Sequence, residues 1–158
     1  MSAQPEPLLD ELYRELILDH YKHPHHREPL GDPDVVAEGY NPVCGDEVAM
    51  QLDFEGDTLA GLAISGRGCS ISQASGSMMS DLVEGKNIGE IRRLAAEFNH
   101  MLTDADAPVP EDLGDLEALQ GVARFAVRVK CATLAWHTLE DGIRQHERGN
   151  GAVQHEEM

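Results

Sequence analysis

The chain has 158 residues, 41% of them hydrophobic and 4% aromatic, which is long enough for one domain with an aliphatic core. Its 12 lysines and arginines stand against 29 acidic residues, and the net charge of −17 disfavours binding to nucleic acid or to anionic lipid. The charge fits either docking on a partner with some basic surface or solubility alone. No apolar run approaches the roughly 20 residues of a membrane span.

The N-terminal residues and the three cysteines indicate where the chain works. Residues 1–9 show neither the basic start nor the apolar centre of a secretory signal. An odd number of cysteines without such a signal predicts reduced thiols in a cytoplasmic protein. Metal binding or catalysis is therefore the expected use of these thiols, rather than disulfide bonding.

Apolar spacing and turn residues predict the first half of the fold. An amphipathic helix over residues 7–22 ends before Pro24, and a short strand is possible at 35–40. Strictly alternating apolar residues then predict a β-hairpin, with strands at about 47–54 and 59–65. The hairpin brings the segments just before and just after it to one end of a small antiparallel sheet.

Further helices follow the hairpin. They are a helix capped by Ser70 or Ser72 and running to about residue 84, a helix opened by a capping box at Asn87 and running to about 102, a short helix at 113–122, and a last helix at about 127–148. The sum is an α+β fold, with about three antiparallel strands packed against four to five helices. We expect one domain over residues 1–158, in which 146–158 form a mobile tail.

Each cysteine lies beside residues that suit a metal ligand. Cys44 is separated from Asp46 by a glycine, so both side chains can reach one ion. Cys69 lies just past the hairpin at the start of a predicted helix, where amide donors favour a thiolate. With Cys131, three thiolates and one carboxylate make the four ligands of a tetrahedral zinc ion. The alternatives are that Asp46 caps a turn and that Cys69 is a small buried apolar residue.

Two further groups of residues are candidates for the site or its surroundings. Arg128 lies three residues before Cys131 on the same helix face, where its charge would offset that of the thiolates, although a surface salt bridge is an alternative. His23, His25 and His26 can bind a stray metal, but their loose spacing fits a solvated loop better.

Four stretches together resemble the SufU branch of the IscU/NifU-like iron–sulfur cluster assembly proteins. The resemblance runs from Leu12 to about Ile143. It rests on Asp19-His20-Tyr21 with Pro24, on Asn41-Pro42-x-Cys44-Gly45-Asp46, on Gly66-x-Gly68-Cys69-x-Ile71-Ser72-x-Ala74-Ser75-x-Ser77-Met78-Met79, and on Arg128-x-Lys130-Cys131-Ala132-Thr133-Leu134-x-Trp136.

The resemblance implies a zinc ion, Zn(2+), bound by Cys44, Asp46, Cys69 and Cys131. It also implies a sulfurtransferase that accepts persulfide sulfur from a SufS-type, PLP-dependent cysteine desulfurase and passes it towards downstream cluster-assembly proteins. Cys44 is the expected acceptor because its glycine-containing loop can swing, and Arg128 is expected to steady the freed thiolate.

Two other functions remain open at this point. In the scaffold branch of the same family, these ligand positions hold a nascent [2Fe–2S] cluster. Lys130 favours the SufU branch, because scaffold-type members typically carry histidine there. The long stretch between the second and third cysteines also favours the SufU branch. A purely structural zinc module for protein interaction is the third possibility.

Overall fold

The fold is that of a computed structural model, which describes residues 5–104, 106, 108–149 and 152–156, the segments 5–12 and 152–156 by their backbone alone. Its elements are, in chain order, α1 (Pro5–Lys22), β1 (Val35–Asn41), β2 (Asp46–Glu55), β3 (Thr58–Arg67), α2 (Ser70–Val83), α3 (Ile88–Thr103), a 3-10 helix (Glu111–Arg124), α4 (Ala126–Arg148) and β4 (Ala152–Glu156). The predicted α+β class, with an antiparallel sheet and packed helices, is confirmed.

The sheet has the strand order β3-β2-β1-β4. The first three strands pair antiparallel, with Met50 of β2 opposite both Ala37 of β1 and Ile64 of β3. Side chains along β2 alternate between buried and half-buried, because one face of the sheet carries the helices. The predicted hairpin therefore forms, one or two residues longer at each end than its alternation indicated.

The C-terminal segment differs from its prediction. Residues 146–148 belong to α4, and Ala152–Glu156 pair in parallel with β1 as a fourth strand, so a mobile tail over 146–158 is a wrong description of these parts. Positions 150, 151, 157 and 158 lie outside the described residues. The strand is short and polar, and its partner lies more than a hundred positions earlier, so no local pattern indicated it.

The helices α2 and α4 cover the sheet and pack against each other. At Gly142 of α4, an added Cβ would come within 2.7 Å of Leu52 on β2, so this glycine lets the helix approach the sheet closely. Trp136 is buried and stacks on Phe98 of α3, with 5.5 Å between the ring centroids. These contacts fix α4, whose first turns carry one part of the site.

Two helix starts refine the sequence prediction. Asn87 caps α3 by accepting a hydrogen bond from the amide of Glu90, as the capping box indicated. The cap of α2 is Cys69 and neither Ser70 nor Ser72, so the prediction of a serine cap was wrong. The sulfur of Cys69 accepts from the Ser72 amide at 3.5 Å and so takes the place of a hydroxyl oxygen. Within the described part of the chain, no helix combines the length and apolarity that crossing a bilayer requires.

Candidate metal centre

The turn between β1 and β2 carries Cys44 and is held by Asn41. The backbone amide of Gly45 donates to the carbonyl oxygen of Asn41 at 2.8 Å, and the amide of Val43 donates to the Asn41 side-chain oxygen at 3.1 Å. Gly45 has a φ of +73°, a conformation that favours glycine. Asn41 is fully buried and Cys44 is half-buried, so a buried side chain holds the turn that carries Cys44 at the surface.

Asp46 and Cys69 meet where β2 lies beside the start of α2. The Asp46 carboxylate is buried, and its Oδ1 accepts a hydrogen bond from the Cys69 amide at 2.9 Å. The sulfur of Cys69 lies 3.8 Å from the other carboxylate oxygen. Gly68 has a φ of +147°, and a Cβ there would overlap Asp46 Oδ1. Glycine therefore permits the segment between β3 and α2 to approach the start of β2 closely, which brings these donors together.

Cys131 enters the site from the second turn of α4 and is fully buried. Its sulfur lies 3.4 Å from the sulfur of Cys44, and all three cysteines are free thiols. Donor atoms of Cys44, Asp46 and Cys131 all lie within 4.8 Å of one another. Cys69 adjoins this group through its contacts with the Asp46 carboxylate. Three of the four side chains predicted from the sequence are thus brought together, and Cys69 lies beside them, in contact with Asp46 but outside that mutual group.

Comparison with known proteins identifies the family. The profile of the NifU-like N-terminal domain matches residues 12–152. The chain belongs to the NifU-like N-terminal domain family. It is 43% identical over 142 residues to the zinc-dependent sulfurtransferase SufU of Bacillus subtilis, covering 90% of this chain and 96% of that protein. The resemblance drawn from the sequence is therefore confirmed.

Two more relatives place this NifU-like domain among assembly proteins. The iron–sulfur cluster assembly scaffold protein IscU of Streptococcus pyogenes is 41% identical over 137 residues, which cover 87% of this chain and 86% of that protein. A solved crystal structure is also similar, that of a putative iron–sulfur cluster assembly scaffold protein for the SUF system from Fervidobacterium islandicum. Its sequence is 32% identical and its TM-score is 0.75, and the match covers 82% of this chain and 94% of that chain.

The electrostatics of this NifU-like domain hold the Cys131 thiol in its neutral form. Burial raises the pKa of the Cys131 thiol, and its hydrogen-bond contacts with Asp46 and Cys44 and the charge of Cys69 raise it further. The protein alone therefore keeps that thiol neutral. A divalent cation held by these donors would reverse this preference, because its charge stabilises thiolates.

Arg128 is the positive side chain beside the thiols. The charge of Cys69, followed by a hydrogen bond to Cys131, raises the pKa of the Arg128 guanidinium. The side chain is exposed at the surface, so it can change partners without leaving water. This placement agrees with the sequence prediction that Arg128 offsets the charge of the thiolates. The alternative, a surface salt bridge to a carboxylate, is not among the described contacts of Arg128.

The histidine-rich segment lies against α2 and is more ordered than a solvated loop. His26 places its Nδ1 2.8 Å from the hydroxyl of Ser80, and the Nδ1 of His25 lies 2.6 Å from Asp81. His20, His25 and Asp81 offer donor atoms within 4.8 Å of one another. His23 lies outside that group. The sequence did not indicate His20 or Asp81, since they meet only through the packing of α1 on α2.

Sequence reasoning also missed two residues that position the thiols. Asn41 was noticed only as part of a motif, although its side chain and carbonyl hold the Cys44 turn. Gly68 is likewise only part of a motif in the sequence, whereas the structure uses it for a close contact with Asp46. Asparagine two residues before a turn amide is a recognised turn signal, and it could have indicated the first of these.

Proposed function

We propose that this NifU-like domain is a zinc-dependent acceptor of persulfide sulfur in iron–sulfur cluster assembly. It takes the sulfur from a SufS-type cysteine desulfurase, which it activates, and passes it to downstream cluster-assembly proteins. The observation that carries the proposal is the placement of Cys44. Its sulfur lies on an accessible turn and only 3.4 Å from the buried sulfur of Cys131, within a group of thiols and one carboxylate.

The donor set fits zinc. Sulfur and carboxylate oxygen are ordinary zinc ligands, and Cys44, Asp46, Cys69 and Cys131 supply four of them. Zinc bound there supplies a positive charge that keeps cysteine sulfurs as thiolates at neutral pH. The zinc dependence of the Bacillus subtilis relative supports the same assignment, because the two chains align over nearly their whole lengths.

The chemical step is an exchange between sulfurs. The Cys44 thiolate attacks the outer sulfur of the donor's persulfide, R–S–SH. A new S–S bond forms at Cys44, the S–S bond of the donor breaks, and the donor's own cysteine leaves as a thiolate with the electron pair. Cys44 then carries the outer sulfur and its proton as a persulfide, so the step needs no external oxidant or reductant.

The other donors keep their places during this exchange. Cys131 is buried in α4, and Cys69 is the N-cap of α2, so moving either one disturbs a helix. Cys44 moves with a turn that has no such constraint beyond Asn41. Arg128 stands beside the thiols at the surface and stabilises the negative charge of a sulfur that has been freed.

A second candidate function is a scaffold that assembles a [2Fe–2S] cluster on the same side chains. The 41% identity to a Streptococcus pyogenes protein named as a scaffold favours it. Three thiols and a carboxylate also suit iron in a cluster, so the donor set does not by itself separate the two functions. Lys130, which stands directly before Cys131, favours the sulfur acceptor.

Metal content and colour distinguish the candidates. We expect protein purified without oxygen to contain one equivalent of zinc and to have no visible absorption band. A brown chromophore that reconstitutes on these cysteines would support the scaffold instead. The deciding measurement is then the rate of cysteine desulfuration by a SufS-type enzyme with and without this protein. Colourless zinc protein that leaves the rate unchanged would indicate a structural zinc module.

A further inference from the structure

A groove adjoins the thiol cluster on the side of Cys69. It has a volume of about 730 Å³ and lies between α1, the 3-10 helix and the first turns of α2 and α4. Arg14, Arg124 and Arg128 all line it, one from each of three different elements. Since the whole chain has only 12 basic residues against 29 acidic ones, three arginines around one groove reverse the sign of the local charge.

Two of these arginines are not engaged by the protein itself. All three side chains are exposed, and Arg128 faces the thiols. Among the side chains that the structure describes, no hydrogen bond or ion pair holds Arg14 or Arg124, whereas Arg92 and Arg93 are each paired with neighbouring carboxylates. Guanidinium groups that lack an internal partner remain available for anionic groups of another molecule.

The groove also has apolar walls. Ile17 and Ile71 contribute half-buried side chains, and Phe125 stands at the edge with 62% of its surface exposed. Val127, two residues further along, and Val43, beside Cys44, are similarly exposed. Exposed apolar side chains grouped around a polar site are typical of a protein-binding surface, and a small anion would leave them in water.

We propose that this groove binds an acidic, apolar-containing segment of the protein that delivers sulfur to the thiols. The inference rests on the proposed function and names the chemistry of the docking partner. Carboxylates of the segment pair with Arg14 and Arg124, and an apolar side chain packs on Phe125 and its neighbours. The segment reaches the wall formed by Cys69, so the sulfur donor arrives beside the Cys44 turn.

The charge of the remaining surface makes this docking directional. With a net charge of −17, the protein repels an acidic segment over most of its surface and attracts it at the groove. Pairs at the edge of an interface act mainly on the rate of association and its dependence on salt. Binding should therefore weaken strongly as ionic strength rises, because the Debye length falls to about 8 Å at physiological salt.

Two measurements on the full chain test the proposal. The first is fluorescence anisotropy with a labelled peptide of alternating glutamate and leucine, compared with a lysine–leucine peptide of equal length. The second is the concentration of this protein that half-maximally stimulates a SufS-type desulfurase. Both compare the wild type, the double variant Arg14→Glu with Arg124→Glu, and the control Arg148→Glu at the far end of α4.

We expect the double variant to bind the acidic peptide at least about tenfold more weakly and to need a correspondingly higher concentration for stimulation. The maximal rate should stay unchanged, and Arg148→Glu should match the wild type. Thermal unfolding checks that the variants fold, and Arg14→Gln with Arg124→Gln repeats the test without added negative charge. Equal peptide binding by wild type and double variant, or a preference for the lysine peptide, overturns the inference.

The two levels of the proposal fail separately. If the wild type does not stimulate the desulfurase, the proposed function is wrong, while the peptide measurement still decides whether the groove is an acidic docking site. If the wild type stimulates and the double variant does so at the same concentration, the proposed function stands and the docking site is wrong.

Discussion

Two clusters among the described residues each place the ligand atoms of three side chains within 4.8 Å of one another. One consists of Cys44, Asp46 and Cys131, and the other of His20, His25 and Asp81. Distance alone does not distinguish them. The difference lies in what the surrounding protein does with the donor atoms.

In the histidine cluster, hydrogen bonds within the fold already occupy the donor atoms. The buried ring of His20 lies 2.8 Å from the hydroxyl of Ser77 through Nδ1 and 3.0 Å from Asp115 through Nε2. The same hydroxyl accepts the backbone amide of His25 at 2.8 Å. These bonds join the segment after α1 to α2, so we infer a structural role for this cluster.

In the thiol cluster, the donors meet one another as well as two backbone amides, those of Cys69 and Ser72. The sulfurs of Cys44 and Cys131 are neighbours, and Asp46 turns its second oxygen towards Cys69. Thiolates and a carboxylate placed together are unfavourable unless protons, hydrogen-bond donors or a cation offset their charge. The comparison teaches that a candidate metal centre is recognised by the chemistry of donors that face one another, here sulfur beside sulfur and carboxylate, as much as by proximity.

The largest expected effect comes from removing the proposed acceptor. Cys44→Ser should lower sulfur transfer from the desulfurase by about a thousandfold or more, since serine does not form a persulfide. The measurement is labelled sulfur bound to the protein after incubation with the enzyme and radioactive cysteine. His25→Ala is the matched change in the other cluster, and we expect it to keep full transfer. Undiminished transfer to Cys44→Ser would exclude Cys44 as the acceptor.

A backbone change should separate the geometry of the thiol cluster from its chemistry. Gly68→Ala keeps every donor but forces a Cβ against Asp46 Oδ1 at a φ that disfavours alanine. We expect a loss of about 2–3 kcal/mol in the free energy of unfolding and weaker zinc binding. Chemical denaturation and a competitive zinc titration measure the two.

Gly31→Ala is the control for that experiment, because a Cβ at Gly31 meets nothing within 4 Å and its φ lies outside the left-handed region. It should be neutral, or slightly stabilising through the unfolded state. If both alanine variants behave alike, the close approach at Gly68 has no role in holding Asp46.

The sequence indicated which side chains are the candidate ligands better than it indicated which distant segments surround them. Cysteine and aspartate in their motifs indicated the donors, and the alternation around Met50 indicated the hairpin that gathers Cys44 and Cys69. What escaped prediction depends on contacts between distant segments. The parallel pairing of Ala152–Glu156 with β1, and the arginines that α1 and the 3-10 helix bring to one groove, have no local pattern.

The histidine cluster should affect stability and leave the metal centre intact. His20→Ala removes a buried ring together with its hydrogen bonds to Ser77 and Asp115, so we expect about 2 kcal/mol less stability. Bound zinc should stay at the wild-type amount. The exposed His23→Ala is the control and should change neither quantity. Loss of zinc from His20→Ala would mean that the two clusters are coupled.

The smallest expected effect concerns Arg128, which acts on the thiols from the surface. Arg128→Ala should slow sulfur transfer by about tenfold while zinc content and thermal stability stay near the wild-type values, because an exposed charge contributes to a freed thiolate more than to the packed site. Arg148→Ala removes an exposed charge from the other end of α4 and should leave the rate unchanged. A loss of zinc without a loss of transfer in the zinc-loaded fraction would instead give Arg128 a structural role. In that case Arg128 stabilises the thiol cluster before any sulfur is freed. The thiol cluster would then resemble the histidine cluster in being stabilised by the fold itself.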